Sequence, residues 1–308
     1  GLLKKTPLNK PIISFIFINI FSTLLGIISS PLNPVSSLFY VLKYIEYLMV
    51  YFLIINNLYD YKQSKKFIAF LLFICFIVTI YTSTQIGKTS RVTAPFEGAP
   101  EPNTLGGYLI LLFAISLGIF LYSKSVIWRF STAFLCLFII PSFLHTLSRG
   151  SYLAFIPMYL TFIILSQKKR VVLIIILLSF IFIPSILPSF VSQRVASTFI
   201  PGKMYEPLGT RITLDYSASQ RIENWKTVFR RLPERPLLGF GVTGLGYIDS
   251  QWTLVLAETG IVGFWIFTWL MTTIFTNVVK VFKTISDNWS QGLALGFLAG
   301  FIGLLIHS

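Results

Sequence analysis

Apolar residues in this chain neither alternate with polar ones nor keep to one helical stripe. They run together in nine stretches, 11–30, 35–57, 67–82, 105–123, 126–144, 151–166, 171–190, 251–280 and 289–308. A hydrocarbon core of roughly 30 Å takes about twenty helical residues, so each stretch reads as a transmembrane helix. An outer-membrane barrel would instead show alternating segments of about ten residues. The pattern therefore predicts an all-α, polytopic membrane protein of about nine transmembrane helices. Residues 1–190 form a first set of helices, 191–250 a large polar loop and 251–308 the last helices.

Basic residues orient these spans. Lys4, Lys5 and Lys10 precede the first, Lys62, Lys65 and Lys66 follow the second, and Lys124 and Arg129 follow the fourth. Lys168, Lys169 and Arg170 follow the sixth, and Lys280 and Lys283 the eighth. Every second connection is thus basic, and under the positive-inside rule these face the cytoplasm. The loop 191–250 then lies outside, as do 83–104 and the turn around His145 to Gly150. A composition of 55% hydrophobic and 12% charged residues, with mean hydropathy +0.77, excludes a soluble domain of this length. The net charge of +14 is mostly a topology signal; scattered over loop ends, it does not form the basic face that nucleic acid would require. The first helix is read as retained, since no small-residue cleavage pattern follows it. Cys75 and Cys136 fall within spans and read as packing residues, with no metal-ligand spacing anywhere.

The long loop carries the candidate chemistry. Within it, 219–232 has helical periodicity, with Ile222, Trp225, Phe229 and Leu232 on one stripe. This predicts an amphipathic helix on the membrane surface, with Lys226, Arg230, Arg231 and Arg235 directed at lipid headgroups. Arg221, in the first predicted turn, opposes the helix dipole and points to an anionic partner. The run from Pro236 to Gly246 contains a G-x-G-x-x-G string, Gly239-Phe-Gly241-Val-Thr-Gly244, but no βαβ unit surrounds it. Its glycines are read as allowing a tight loop to approach a ligand or the membrane. Asp249 opens the eighth span, either as an N-cap or as a base. Glu258 lies nine residues on, about half a turn round, so the two are not a carboxylate pair; inside the membrane Glu258 needs a partner and serves to fix the helix. Arg149 either snorkels to headgroups or meets an anion, and His145 is either an interfacial hydrogen-bonder or a proton acceptor. Lys43 and Glu46 are expected to form a buried ion pair, Asn103 to cap a helix, and Gly292, Gly296 and Gly300 to pack closely against another helix, either of this chain or missing from it.

Ser148-Arg149-Gly150, Arg221 followed by Trp225, the run from Pro236 to Gly246, and Glu258-Thr-Gly260-Ile-Val-Gly263 before an apolar span together resemble the O-antigen ligase and polysaccharide polymerase family. The resemblance covers 103–263. It implies a GT-C-like helical fold and transfer of a glycan from an undecaprenyl diphosphate carrier outside the inner (plasma) membrane, without a metal ion or other cofactor. It also implies that Arg149 and Arg221 bind the carrier diphosphate and that the base lies just before the last helix of the motif. There this chain has Asp249-Ser250 where ligases commonly have His-Asn, which is more like the polymerase branch. The family has about twelve helices, so the chain is expected to be a fragment lacking two N-terminal spans and one C-terminal span.

The chemistry favours these residues independently. When an acceptor hydroxyl attacks an anomeric carbon, charge develops on the departing diphosphate, and guanidinium forks suit phosphate oxygens. Arg149 and Arg221 are the first candidates, Arg211 a third, with Asp249 as base and His145 as an alternative. The expected partners are the lipid-linked donor, a glycan or lipid-linked acceptor and the bilayer. The alternatives are ligation to a lipid A-core acceptor, or a transporter or flippase. A transporter should show midplane charges, repeated halves and broken helices, and the sequence displays none of these.

Overall fold

A computed structural model describes residues 4–29, 32–95, 101–186, 203–205, 212–214 and 216–308. Helices underlie all nine apolar stretches: α1 (Asn9–Ser29), α2 (Pro34–Asn57), α3 (Tyr61–Gln85), α4 (Pro102–Tyr122), α5 (Val126–His145), α6 (Arg149–Leu165), α7 (Lys169–Ile186), α9 (Gln251–Thr284) and α10 (Asn288–His307). Among the described residues seven of these, α1 to α5, α9 and α10, are long and apolar enough to cross a membrane, while α6 is a shorter apolar helix. The protein is a multi-pass membrane protein. The all-α class holds, with one small addition. Within 191–250, β1 (Lys203–Tyr205) and β2 (Ile212–Leu214) pair antiparallel, Lys203 opposite Leu214, before the amphipathic α8 (Tyr216–Arg231). Arg211 lies outside the described residues.

The chain divides into two compact units. One comprises 1–63, 198–277 and 308; the other comprises 64–197 and 278–307. The second unit is built around α4, which is buried along most of its length. Its neighbour is α10, and the glycine ladder makes the contact. A Cβ on Gly296 would stand 2.5 Å from the Ala114 carbonyl oxygen, and one on Gly292 2.4 Å from that of Gly118. Small residues let helix backbones approach closely where no hydrophobic force separates helix from lipid. The ladder's partner is thus α4, not a helix missing from the chain. Gly296→Leu is expected to force the two helices apart at a cost of about 1–3 kcal/mol, read as a lowered thermal midpoint of the detergent-solubilised protein. In the same unit α3 and α5 are joined by the Thr82 hydroxyl donating to Ser142 Oγ at 2.7 Å.

Two further expectations are corrected here. Asn103 is not a cap: α4 begins at Pro102, and Asn103 accepts from Arg91 Nη2 at 3.1 Å instead. In the first unit Lys43 and Glu46 are exposed and form no ion pair among the described residues; Lys43 lies over the Tyr47 ring at 5.9 Å. That unit packs α1, α2 and the first part of α9 through Ile12, Phe52 and Leu270, with Phe15 and Trp252 against Phe267. In α8 Val228 is turned inward and buried with Ile248 and Ala257, and Ser219 is buried as well. The predicted stripe is outward: Trp225 is 48% and Phe229 57% exposed, as a helix resting on a membrane surface requires.

Candidate active site

The site of the first unit begins with a break in a helix. At Gly260, φ 64° and ψ −164° interrupt α9 nine residues after its start. A broken helix strands carbonyls on one side and N–H groups on the other, and in a membrane these must find partners. The segment 236–241 supplies partners for four of them. Phe240 and Gly241 donate their N–H groups to the carbonyls of Ala257 and Glu258, both at 2.9 Å, while Ile261 and Val262 donate to the carbonyls of Pro236 and Leu237 at 2.9 and 3.1 Å. This close approach explains two glycines. A Cβ on Gly239 would lie 2.6 Å from the Ala257 oxygen, and one on Gly260 2.5 Å from Leu237. Both have positive φ as well. The G-x-G-x-x-G string is thus part of a splice across a broken helix, not a phosphate cradle. The expectation that no helix is broken is overturned.

The splice is clamped from several sides. Ser22 of α1 donates to the carbonyls of Leu238 and Glu258, and Thr23 Oγ1 accepts from Val242 N–H at 3.1 Å. Gly26 admits the Phe240 oxygen, which a Cβ there would meet at 2.6 Å. Arg231 and Arg235 lie over the Phe240 ring at 4.8 and 5.6 Å, and Arg235 also donates to the Ser29 carbonyl at 2.5 Å. These two arginines therefore secure the loop, while Lys226 and Arg230 remain on the exposed side of α8. Glu258 is 5% exposed and has partners for both oxygens: Thr243 N–H at 3.0 Å and Tyr44 hydroxyl at 3.3 Å. Thr243 has φ 69°, an unusual conformation for a branched residue, held by the carboxylate and by Ser37 Oγ at 2.9 Å from its hydroxyl. The carboxylate that the sequence assigned to fixing its helix fixes the loop as well. Replacing Glu258 with Gln, which retains an acceptor for Thr243, is expected to destabilise less than Glu258→Leu. The leucine variant strands the amide at a cost of about 1–3 kcal/mol, read by thermal unfolding in detergent.

This scaffold leads into Asp249 and Arg221. The helix α9 starts at Gln251, so Asp249 lies before it, and its carboxylate faces side chains instead of capping the helix. Oδ2 accepts from Arg221 Nε at 2.5 Å, and Oδ1 accepts from the Tyr247 hydroxyl at 3.4 Å. The two side chains are 39% and 26% exposed, a partly exposed pair. Arg221 sits in the second turn of α8, which starts at Tyr216, ahead of the predicted 219–232, so the helix-dipole argument does not apply to it. Its guanidinium contacts Asp249 through Nε, and among the described residues its terminal nitrogens make no hydrogen bond. Such a fork can hold a carboxylate at one edge and phosphate oxygens at the other.

In the second unit, Arg149 is the first residue of α6, whose N-cap Ser148 accepts from Ser151 N–H at 3.4 Å. A cation at that end opposes the dipole, and the argument made for Arg221 belongs here. The preceding turn contains Leu147 with φ 50° and is tied down by Arg91, whose Nε donates to the Thr146 carbonyl at 2.8 Å. His145 donates Nδ1–H to the Pro141 carbonyl at 2.9 Å, which in the neutral ring leaves the lone pair on Nε2. Arg91 was missed, and Arg235 was assigned to lipid headgroups, because each acts on a backbone carbonyl distant in sequence.

The broken helix, its splice and the arginine turn all fall within one stretch of chain that has known relatives. Residues 133–268 match the O-antigen ligase family. The match bears out the resemblance read from the sequence, beginning later than the 103–263 assigned there and ending slightly beyond it. O-antigen ligase-type glycan transfer is the activity this family indicates, with lipid-linked glycans as the class of substrate and the membrane as its setting. No curated protein compared with the chain matches it. Within the matched segment lie Arg149, Arg221, Asp249 and the whole splice, whereas Arg91 and the residues of α1 and α2 that hold the splice lie outside it.

Proposed function

We propose that this protein transfers a glycan from an undecaprenyl-diphosphate-linked donor to an acceptor hydroxyl at the extracytoplasmic face of the inner membrane, polymerising polysaccharide repeat units. The observation that carries this reading is the Arg221–Asp249 pair at the mouth of α9: a base candidate and an anion-binding fork in one contact. In the reaction the acceptor oxygen bonds to the anomeric carbon as the bond from that carbon to the diphosphate oxygen breaks. The acceptor proton goes to Asp249, and the charge left on the lipid diphosphate is met by the terminal nitrogens of Arg221.

Arg149 takes the diphosphate role on its own grounds: the Ser148-Arg149-Gly150 motif and its place at a helix N-terminus. His145 is the second candidate for the proton. The reading includes nine spans, a GT-C-like arrangement and a metal-independent mechanism. Polymerisation is preferred to ligation because Asp249-Ser250 stands where ligases commonly carry His-Asn.

The broken α9 gives the transporter reading a specific observation, as do Lys43 and Glu46 near the middle of α2. Discontinuous helices in transporters direct freed backbone groups at the solute. Here the carbonyls of Ala257 and Glu258 and the N–H groups of Ile261 and Val262 are all occupied by 236–241, which favours an enzyme scaffold.

The test is to incubate membranes containing the protein with purified lipid-linked repeat unit, with and without EDTA, and to resolve the products by length. A ladder of products insensitive to EDTA is expected. Asp249→Asn keeps an acceptor for Arg221 yet removes the base, and is expected to lower the rate by about 10²–10⁴-fold. A single addition to a lipid A-core acceptor would replace polymerisation with ligation, and an active Asp249→Asn would transfer the proton role elsewhere.

A further inference from the structure

The helix α2 has two faces that differ in kind. Ser37, Val41, Tyr44, Leu48 and Phe52 form one stripe, turned to the rest of the first unit: Ser37 meets Thr243, Tyr44 reaches Glu258, and Phe52 packs with Ile12 and Leu270. At about 100° per residue, Phe39, Leu42, Lys43, Glu46, Val50 and Leu53 centre roughly opposite that stripe. All six are exposed, Phe39 at 67%, Leu42 at 59% and Leu53 at 60%. The helix runs from Pro34 to Asn57, so Lys43 and Glu46 fall within a turn of its midpoint. Charged groups at that depth are costly towards lipid and are found paired against protein. Neither has a charged partner within ion-pair distance among the described residues, and Lys43 is only 5.9 Å from the Tyr47 ring.

We propose that this face of α2 is the interface of a two-fold symmetric dimer, in which Lys43 of each copy pairs with Glu46 of the other. Charge complementarity selects the occupant. A face carrying one base and one acid three residues apart is complementary to itself across a two-fold axis along the membrane normal, and one turn of the axis yields two ion pairs. Three residues of axial offset amount to about 4.5 Å, within the reach of both side chains. Leu42 and Val50 flank the pairs and exclude lipid from them. A helix from another protein would have to carry an acid and a base at these same two depths; a second copy does so by symmetry.

The test counts subunits of the full chain in nanodiscs by single-molecule photobleaching. The unmodified protein is expected to be dimeric, whereas Lys43→Glu and Glu46→Lys alone place like charges together and are expected to be monomeric. The double variant Lys43→Glu/Glu46→Lys restores both pairs, as does co-expression of the two single variants, which form mixed dimers only. Disulfide cross-linking of Leu42→Cys between copies provides a second readout, with membrane insertion level as the control for folding. A monomeric unmodified protein, or a double variant that stays monomeric while inserted normally, would overturn the proposal and assign the face to a different partner.

Discussion

Arg221→Ala is expected to reduce glycan transfer by about 10²–10³-fold, the range for loss of one donor to a charge that develops in the transition state. Two losses combine in that change. The terminal nitrogens that meet the diphosphate disappear, and Asp249 loses the Nε contact that holds it at 2.5 Å. Arg221→Lys separates the two. A lysine ammonium can neutralise Asp249 or meet a phosphate, but it has no fork with which to do both, so it is expected to restore little activity. Rates of lipid diphosphate release at saturating donor measure the effect, and retention of the native thermal midpoint distinguishes it from unfolding. The exposure of the pair predicts that the midpoint changes little, since half-exposed ion pairs contribute little to stability. Arg149→Ala in the same assay is expected to fall as well.

Gly260→Ala acts through the scaffold instead. The residue adopts φ 64° and ψ −164°, a region that side-chain-bearing residues rarely enter, at a cost on the order of 1–3 kcal/mol. The added Cβ would also stand 2.5 Å from the Leu237 carbonyl and 2.6 Å from Gly239 N, so the splice must shift. Any shift uncouples some of the four backbone hydrogen bonds across the break. Unlike the arginine variants, this one is expected to lower the thermal midpoint and the activity together. Gly246→Ala is the matched control: its φ is 73°, yet nothing lies within 4 Å of its Cβ position, so only the backbone cost applies.

The nine hydrophobic runs were legible because burial in lipid demands unbroken apolar length, and helices were found under all of them. Orientation of the amphipathic α8 was legible for the same reason, its exposed stripe being the one that periodicity picks out. The splice was not. Its glycines gave a signal, but their partners are backbone atoms about twenty residues away, which no side-chain pattern encodes, and a G-x-G-x-x-G string has several structural uses. The helix break was hidden because Gly260 lies in an apolar run that scores as a continuous span. Pairing of Lys43 with Glu46 was expected from spacing alone; i and i+3 permit contact but do not compel it, and here both face outward. Asp249 and Arg221 were both identified, but not their contact, because 28 residues separate them.

The central claim is that the protein itself moves a glycan between lipid-linked substrates. The most direct measurement reconstitutes the purified full chain in liposomes with a lipid-linked repeat unit labelled in its sugar, and follows free lipid diphosphate and new glycosidic bonds together. The account predicts that both form in equal amounts, with or without EDTA, and that both are lost with Arg221→Ala. Appearance of labelled substrate on the opposite leaflet, with no glycosidic bond formed and no lipid diphosphate released, would contradict it.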